Sequence, residues 1–231
     1  MRLFWIMCCC GWMFNLSSDV AGQTSGEALQ GSSATAVTGQ RDLLINVYYR
    51  GGNTDDEAWL QRARDYAAKQ PGLQVVPRNV ATDADMQKSL QTVQTALKLP
   101  NTTVPLIYGL NHAIHQAKDD AEFTAQMDRL RQLEMYCQPN CPHCDQAEQH
   151  LKKTLPLYPG ITFVKRNIVT DKSAKSDLQE QLRRRNVNTQ TVPVLHIANQ
   201  MLIGFDSQQK TGEKVDELLK RWSLETPTSS R

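Results

Sequence analysis

The chain of 231 residues has almost no net charge: 26 Lys and Arg stand against 24 Asp and Glu, leaving +2. That balance gives no electrostatic reason to expect nucleic acid or an anionic membrane as a partner. Cysteine is absent from positions 11–136; three of the six are Cys8, Cys9 and Cys10, and the others are Cys137, Cys141 and Cys144. A scaffold that staples distant loops by disulfides is excluded, so cysteine chemistry here is local. Beyond the N-terminus, no apolar run approaches the ~20 residues that cross hydrocarbon as a helix. Gly51-Gly52 lacks the downstream Lys of a phosphate loop, which removes the main hint of nucleotide binding. What remains, 40% apolar and 22% charged residues, is the composition of a soluble globular protein of one or two domains.

Arg2 precedes an uncharged, mainly apolar stretch at 3–16, followed by Ser17, Ser18, Asp19, Val20, Ala21 and Gly22. A basic start, an apolar middle and a small-residue end make residues 1–22 a secretory signal peptide, with cleavage expected near Gly22. An uncleaved anchor or a lipid-modified cysteine is the alternative, although Trp5, Ile6 and Met7 before Cys8 do not form a lipoprotein motif. Export places the body where disulfides persist, here a bacterial periplasm, with no stable membrane insertion after cleavage. Residues 23–40, rich in Gly, Ser, Thr, Ala and Gln, are expected to be a flexible linker, and 225–231 a similar disordered tail.

The informative feature is an internal repeat. Pro71-Gly72-Leu73-Gln74-Val75-Val76-Pro77-Arg78-Asn79-Val80-Ala81-Thr82-Asp83 returns 88 residues later as Pro159-Gly160-Ile161-Thr162-Phe163-Val164-Lys165-Arg166-Asn167-Ile168-Val169-Thr170-Asp171. At the same offset Thr103-Val104-Pro105 meets Thr191-Val192-Pro193, and Tyr48 meets Tyr136. From Pro71 to Pro105, 12 of 35 positions are identical without a gap. Copies of about 90 residues are large enough for separate cores, which predicts two tandem domains over 41–131 and 132–224. Hydrophobic patterning predicts strands at 43–49, 73–76, 104–108 and 113–115 and helices at 56–69, 84–97 and 119–130. In the second copy it predicts strands at 133–136, 161–165, 192–197 and 201–203 and helices at 142–153, 173–185 and 211–221. The fold class is therefore α/β, each domain a mixed four-stranded sheet flanked by helices on both faces.

Cys141-Pro142-His143-Cys144 closes the first strand of the second domain and opens its first helix. Asn140 is the predicted cap and Pro142 suits the first helical position. A sulfur at the positive end of a helix is stabilised as thiolate, and His143 acts in the same direction when charged. This makes Cys141 the attacking or attacked sulfur and Cys144 the resolving thiol. Zinc offers an alternative use, with Cys137 and His143 as further ligands. The cluster spacing of radical SAM enzymes is set aside because only 87 residues follow the motif. Thr191-Val192-Pro193, opening a strand, is where a cis peptide exposes backbone groups beside a site.

Together, Tyr136-Cys137-Gln138-Pro139-Asn140-Cys141-Pro142-His143-Cys144, Thr191-Val192-Pro193 and Ile203-Gly204-Phe205-Asp206 resemble the glutaredoxin family of the thioredoxin superfamily. The resemblance implies thioredoxin-like domains, a redox-active disulfide between Cys141 and Cys144 with no other cofactor, and site tuning by Pro142 and His143. It also implies substrate binding by Thr191, Val192, Pro193, Gly204 and Phe205, with the Val192 backbone pairing with a substrate strand. Gln138 replaces the basic residue of glutathione users, and Gly204-Phe205 replaces their paired glycines. The Gly-Phe-Asp form is closer to redoxins served by a protein reductase, while the Pro-His dipeptide is that of a periplasmic oxidant.

At the offset of 88, Asn53 and Asp56 stand where Cys141 and Cys144 stand, so the first domain exchanges no thiols. Its retained Pro105 suits a binding, spacing or homodimer role. The expected function is an exported thiol–disulfide oxidoreductase with protein thiols or disulfides as substrates and a redox partner protein; the alternative is a non-enzymatic cell-envelope binding or assembly factor. Cys137 is expected to be a buried strand-end residue. Arg183, Arg184 and Arg185 are expected to finish a helix, and Asp55, Asp56 and Glu57 to be an acidic first turn. His112, His115, His150 and His196 show no partner pattern.

Overall fold

Leu43, Ile45 and Val47 recur with the two-residue period of a strand and are fully buried. They belong to β1 (Arg41–Tyr49), the centre of the first sheet in this computed structural model, which describes residues 39–110 and 112–225. The expected signal peptide, residues 23–38 of the linker and residues 226–231 lie outside the described residues.

The first domain continues through α1 (Thr54–Ala67), β2 (Leu73–Asn79), α2 (Ala84–Leu97), β3 (Leu106–Tyr108), β4 (Ala113–Ile114) and α3 (Asp120–Leu130). The second follows without a linker: β5 (Gln132–Cys137), α4 (Pro142–Thr154), a 3₁₀ turn at Leu155–Leu157, β6 (Thr162–Asn167), α5 (Lys172–Arg184), β7 (Val194–Ile197), β8 (Gln200–Ile203), a π turn at Gln208–Gly212 and α6 (Glu213–Arg221). The strand orders are β2-β1-β3-β4 and β6-β5-β7-β8. In both sheets the first pair is parallel and the others are antiparallel.

Both sheets are covered twice because alternate side chains need a partner on each face. Ile45 and Val47 pack with Leu60 and Ala63 of α1 and Phe123 and Met127 of α3, while Tyr48 packs with Leu90 of α2. Leu133 and Met135 join Ala147 and Leu151 of α4 and Leu218 and Leu219 of α6; Tyr136 turns to Ala174, Leu178 and Leu182 of α5. The repeat is kept in the register itself. Tyr48 lies opposite Arg78 and Leu106, and Tyr136 lies opposite Arg166 and Val194, each 88 residues on. Asp83 and Asp171, also 88 apart, cap α2 and α5 by accepting backbone N–H bonds.

The first sheet departs from the expected four strands. A fifth, β9 (Ser223–Glu225), pairs antiparallel with Arg41, Asp42 and Leu43, and Leu44 N donates to the Trp222 carbonyl at 2.9 Å. It lies on the same side of β1 as β3, and Trp222 stands edge-on to Tyr108 at 5.1 Å. Three residues at the end of a helix carry no periodicity, so this strand has no local signature.

Where the domains meet, equivalent residues face each other. Gly72 and Gly160 pack backbone to backbone, and a Cβ on Gly160 would collide with the Gly72 carbonyl oxygen. Leu43 and Leu110 join the core of the second domain. His112 lies edge-on to His196, with ring centres 6.0 Å apart. Burial, helped by His196, pushes the His112 imidazole down to about 4.

That depression sets a pH dependence. The unfolded chain takes up a proton near pH 6.5 and the folded chain only near 4, so stability is full above the first value and falls as pH drops toward the second. The loss reaches at most ~3 kcal/mol by the usual conversion of pKa shifts. Melting temperatures between pH 7 and 4.5 should therefore fall less steeply for His112→Gln than for the wild type; equal slopes would refute this assignment.

Candidate active site

Strand β5 ends at Cys137, whose buried thiol donates to the Arg166 carbonyl at 3.5 Å. Burial pushes this thiol up from its ordinary value. The chain then turns at Asn140, in the left-handed region with φ 55°, a conformation that Asn tolerates well. Cys141 is extended and caps α4: its Sγ accepts the Cys144 backbone N–H at 3.2 Å. The cap is thus one residue later than the sequence predicts, because Asn140 makes the turn and only Cys141 can lay its side chain over the first helical N–H groups. Pro142 begins the helix, as expected. Cys141 and Cys144 are disulfide-bonded, with Cα atoms 5.2 Å apart. Both residues are buried, Cys141 at 7% exposed and Cys144 at 2%.

The remaining motif residues converge on this disulfide. The Val192–Pro193 peptide is cis, and the Val192 carbonyl oxygen lies 3.9 Å from Cys141 Sγ. Thr191 approaches Gly204, whose N–H donates to the Pro193 carbonyl at 2.8 Å. Gly204 has φ 77°, a conformation that favours glycine. His143 Nδ1 donates to the Phe205 carbonyl at 2.9 Å. The Phe205 ring is buried against the His150 ring at 5.9 Å, and what the residue gives to the site is the carbonyl that His143 holds.

The first domain keeps this frame with different chemistry. Asn53 Oδ1 replaces Cys141 Sγ as the helix cap and accepts Asp56 N–H at 3.0 Å. Asp56, in the place of Cys144, is fully buried and accepts bonds from the Arg50 backbone N, Nε and Nη2, each at 2.8 Å. These bonds hold the Asp56 carboxyl below its ordinary value and the Arg50 guanidinium above its own. Arg50 Nη2 also reaches the Val104 carbonyl at 3.4 Å, beside the cis Val104–Pro105 bond. Asp55 and Glu57 are exposed, but Asp56 departs from the expected solvated first turn.

A polar cluster on the α5 face of the second sheet went unread in the sequence. Glu134 accepts from Tyr136 OH, Arg166 Nη1 and His196 Nδ1, each at 3.3 Å, and Arg166 also pairs with Asp177 at 2.7 Å. Burial pushes the Glu134 carboxyl up, but His196 and Arg166 outweigh it and leave it below its ordinary value. Burial and Glu134 push Tyr136 up to about 12. Residues 88 earlier make a less charged version, in which Arg78 donates to Asn46 at 3.0 Å and Tyr48 meets Ser89 at 2.9 Å. His150, also without a partner pattern in sequence, bonds to Asp216 at 3.0 Å. Arg183 and Arg184 finish α5 and pair with Glu180, whereas Arg185 reaches Asn199. Among the described residues, no group of three or more His, Cys, Asp or Glu side chains is placed to hold a metal ion.

Residues 132–222 match the family model for the glutaredoxin-like domain (DUF836). The match covers the second domain and leaves the first outside it. Similar solved structures include glutaredoxin 1 from Francisella tularensis, 20% identical over 37% of this chain and 96% of that one, with a TM-score of 0.28. A glutaredoxin from Archaeoglobus fulgidus is 21% identical over 41% and 91% of the two chains, with a TM-score of 0.30. A protein disulfide oxidoreductase from Aeropyrum pernix is 14% identical over 79% and 88%, with a TM-score of 0.28. A search of curated proteins finds no match.

Removing Arg50 should test the substitution of an ion pair for the disulfide. Arg50→Ala leaves the buried Asp56 carboxylate without its guanidinium; because Arg50 is half-exposed, the expected loss is ~2 kcal/mol rather than the ~3–5 of a fully buried pair. Urea unfolding at pH 7 measures it, and a loss below ~0.5 kcal/mol, the usual range for surface substitutions, would refute the assignment. The glutathione equilibrium of Cys141 and Cys144 in the second domain should be unchanged.

Proposed function

We propose that this protein is an exported thiol–disulfide oxidoreductase that exchanges disulfides with protein substrates through Cys141 and Cys144. The observation that carries the reading is the position of Cys141 Sγ: it caps α4 and accepts the Cys144 N–H at 3.2 Å. A thiolate formed there keeps that hydrogen bond and gains the positive end of the helix, which lowers the cost of forming it.

In the oxidising direction, a substrate thiolate attacks Cys141 Sγ. The Cys141–Cys144 bond breaks, a mixed disulfide forms, and Cys144 leaves as a thiolate that takes up a proton. A second substrate thiolate then attacks the substrate sulfur bonded to Cys141, forming the substrate disulfide and expelling the Cys141 thiolate. The substrate has lost two electrons and two protons, and a partner protein with a disulfide restores the pair. In the reducing direction Cys141 attacks a substrate disulfide, Cys144 resolves the intermediate, and a dithiol partner supplies the electrons. Val192, next to Pro193 and beside the sulfur, offers backbone groups to an incoming strand, with Thr191 and Gly204 forming the adjoining wall. Pro142 and His143 tune the pair. The basic start and apolar stretch of residues 1–16 support export to a periplasm.

Equilibration in glutathione buffers, read by mass after alkylation, assigns the direction. A potential near ~−120 mV marks a disulfide donor, and one near ~−230 to −270 mV a reductase or isomerase. Cys144→Ser should accumulate mixed disulfides with thiol proteins that dithiothreitol releases, and Cys141→Ser should not. A wild-type pair that never forms a reversible disulfide, or a Cys144→Ser protein without adducts in an oxidising extract, would overturn the proposal.

A further inference from the structure

His143 lies between the two cysteines in sequence, yet its Nδ1 is bonded to the carbonyl of Phe205, 62 residues away, at 2.9 Å. A carbonyl only accepts, so Nδ1 carries the ring's proton in this bond. The carbonyl is itself held from two sides. One residue earlier, Gly204 N–H is fixed to the Pro193 carbonyl at 2.8 Å. On the other side, the Phe205 ring is 3% exposed and packs on His150, which α6 holds through Asp216 at 3.0 Å. The loop after β8 thus ties the cis-proline strand, the core and the His143 imidazole into one unit.

We infer that the main-chain carbonyl of Phe205 is a positioning group for His143, fixing its tautomer and its orientation in the first turn of α4, and that the Gly204-Phe205 loop thereby sets the reduction potential of the pair. This rests on the exchange reading given above. With the ring held by Nδ1, its charge acts on the Cys141 thiolate from a fixed place. A released ring turns toward solvent, its charge acts less on the thiolate, and the reduced form loses stabilisation.

The test is a double-mutant cycle in the full chain. Phe205→Leu shortens the buried anchor, and Gly204→Ala forces the backbone at φ 77°, where the added Cβ meets only Thr191 Cγ2 at 3.6 Å. Each should make the pair roughly threefold to tenfold easier to oxidise in glutathione buffers, tenfold being ~30 mV for a two-electron couple. In a His143→Ala background, the same substitutions should change the equilibrium less than about twofold. Effects of equal size with and without His143 would overturn the inference. Should Phe205→Leu fail to fold, Gly204→Ala completes the cycle. Nitrogen-15 shifts of the His143 ring give an independent readout: the neutral wild-type ring should carry its proton on Nδ1, and a proton on Nε2 would overturn the assignment. If Cys141 and Cys144 never equilibrate with glutathione, the exchange reading fails, while the ring measurement still decides whether the carbonyl holds His143.

Discussion

The first turn of a helix presents N–H groups with no partner inside the helix, and something must accept them. In α4 that acceptor is the sulfur of Cys141, which is also one half of the disulfide and, in the proposed function, the sulfur that exchanges. Capping and reactivity therefore draw on the same electrostatic field. The rest of the second domain can be understood as support for that atom. Strand β5 delivers it, Pro142 starts the helix beneath it, and the cis Val192–Pro193 segment closes its other side. The first domain meets the same demand with an amide oxygen, Asn53 Oδ1, and fills the place of the second sulfur with a carboxylate clamped by Arg50. The helix is satisfied in both copies, and only one cap can exchange electrons.

The two copies also handle their polar interior differently. Asn46 with Arg78 becomes Glu134 with Arg166, and Ser89 becomes Asp177, all at matching positions. A buried carboxylate costs desolvation unless its partners are well placed, and Glu134 has three. The contact between domains runs through Gly72, Gly160, His112 and His196, where β2 and β6 begin and β3 and β7 end. The turns into α1 and α4 lie at the opposite ends of the sheets. Among the described residues, these contacts of the first domain with the second thus lie at the sheet ends away from the disulfide.

Much of this was legible in the sequence because the repeat supplies a second reading of each element. The patterning delimits α2 at the observed residues, and Pro142, Pro193 and the two cysteines lie together as the motifs suggest. The rest was hidden where a contact depends on distance along the chain or on the backbone alone. The His143 to Phe205 bond uses a carbonyl, which every residue has, so no residue type signals it. Glu134 and His196 are 62 residues apart and read separately as an ordinary strand position and an unassigned histidine. Asp56 among three acidic residues looks like a solvated helix start, and only the fold puts Arg50 over it. The sequence points to Asn140 as the cap, one residue before Cys141, because Asn is a favoured cap as well as a favoured left-handed turn residue.

Strand β9 carries a consequence for how the chain is assembled. Arg41, Asp42 and Leu43 gain their antiparallel neighbour only from residues 223–225, which follow α6. As the polypeptide grows, the domain that emerges first has all its helices but an unfilled sheet edge until the second domain has been made. Completion of the older domain therefore reports that the younger one is present, and a chain cut short anywhere in the redox half leaves both halves unfinished.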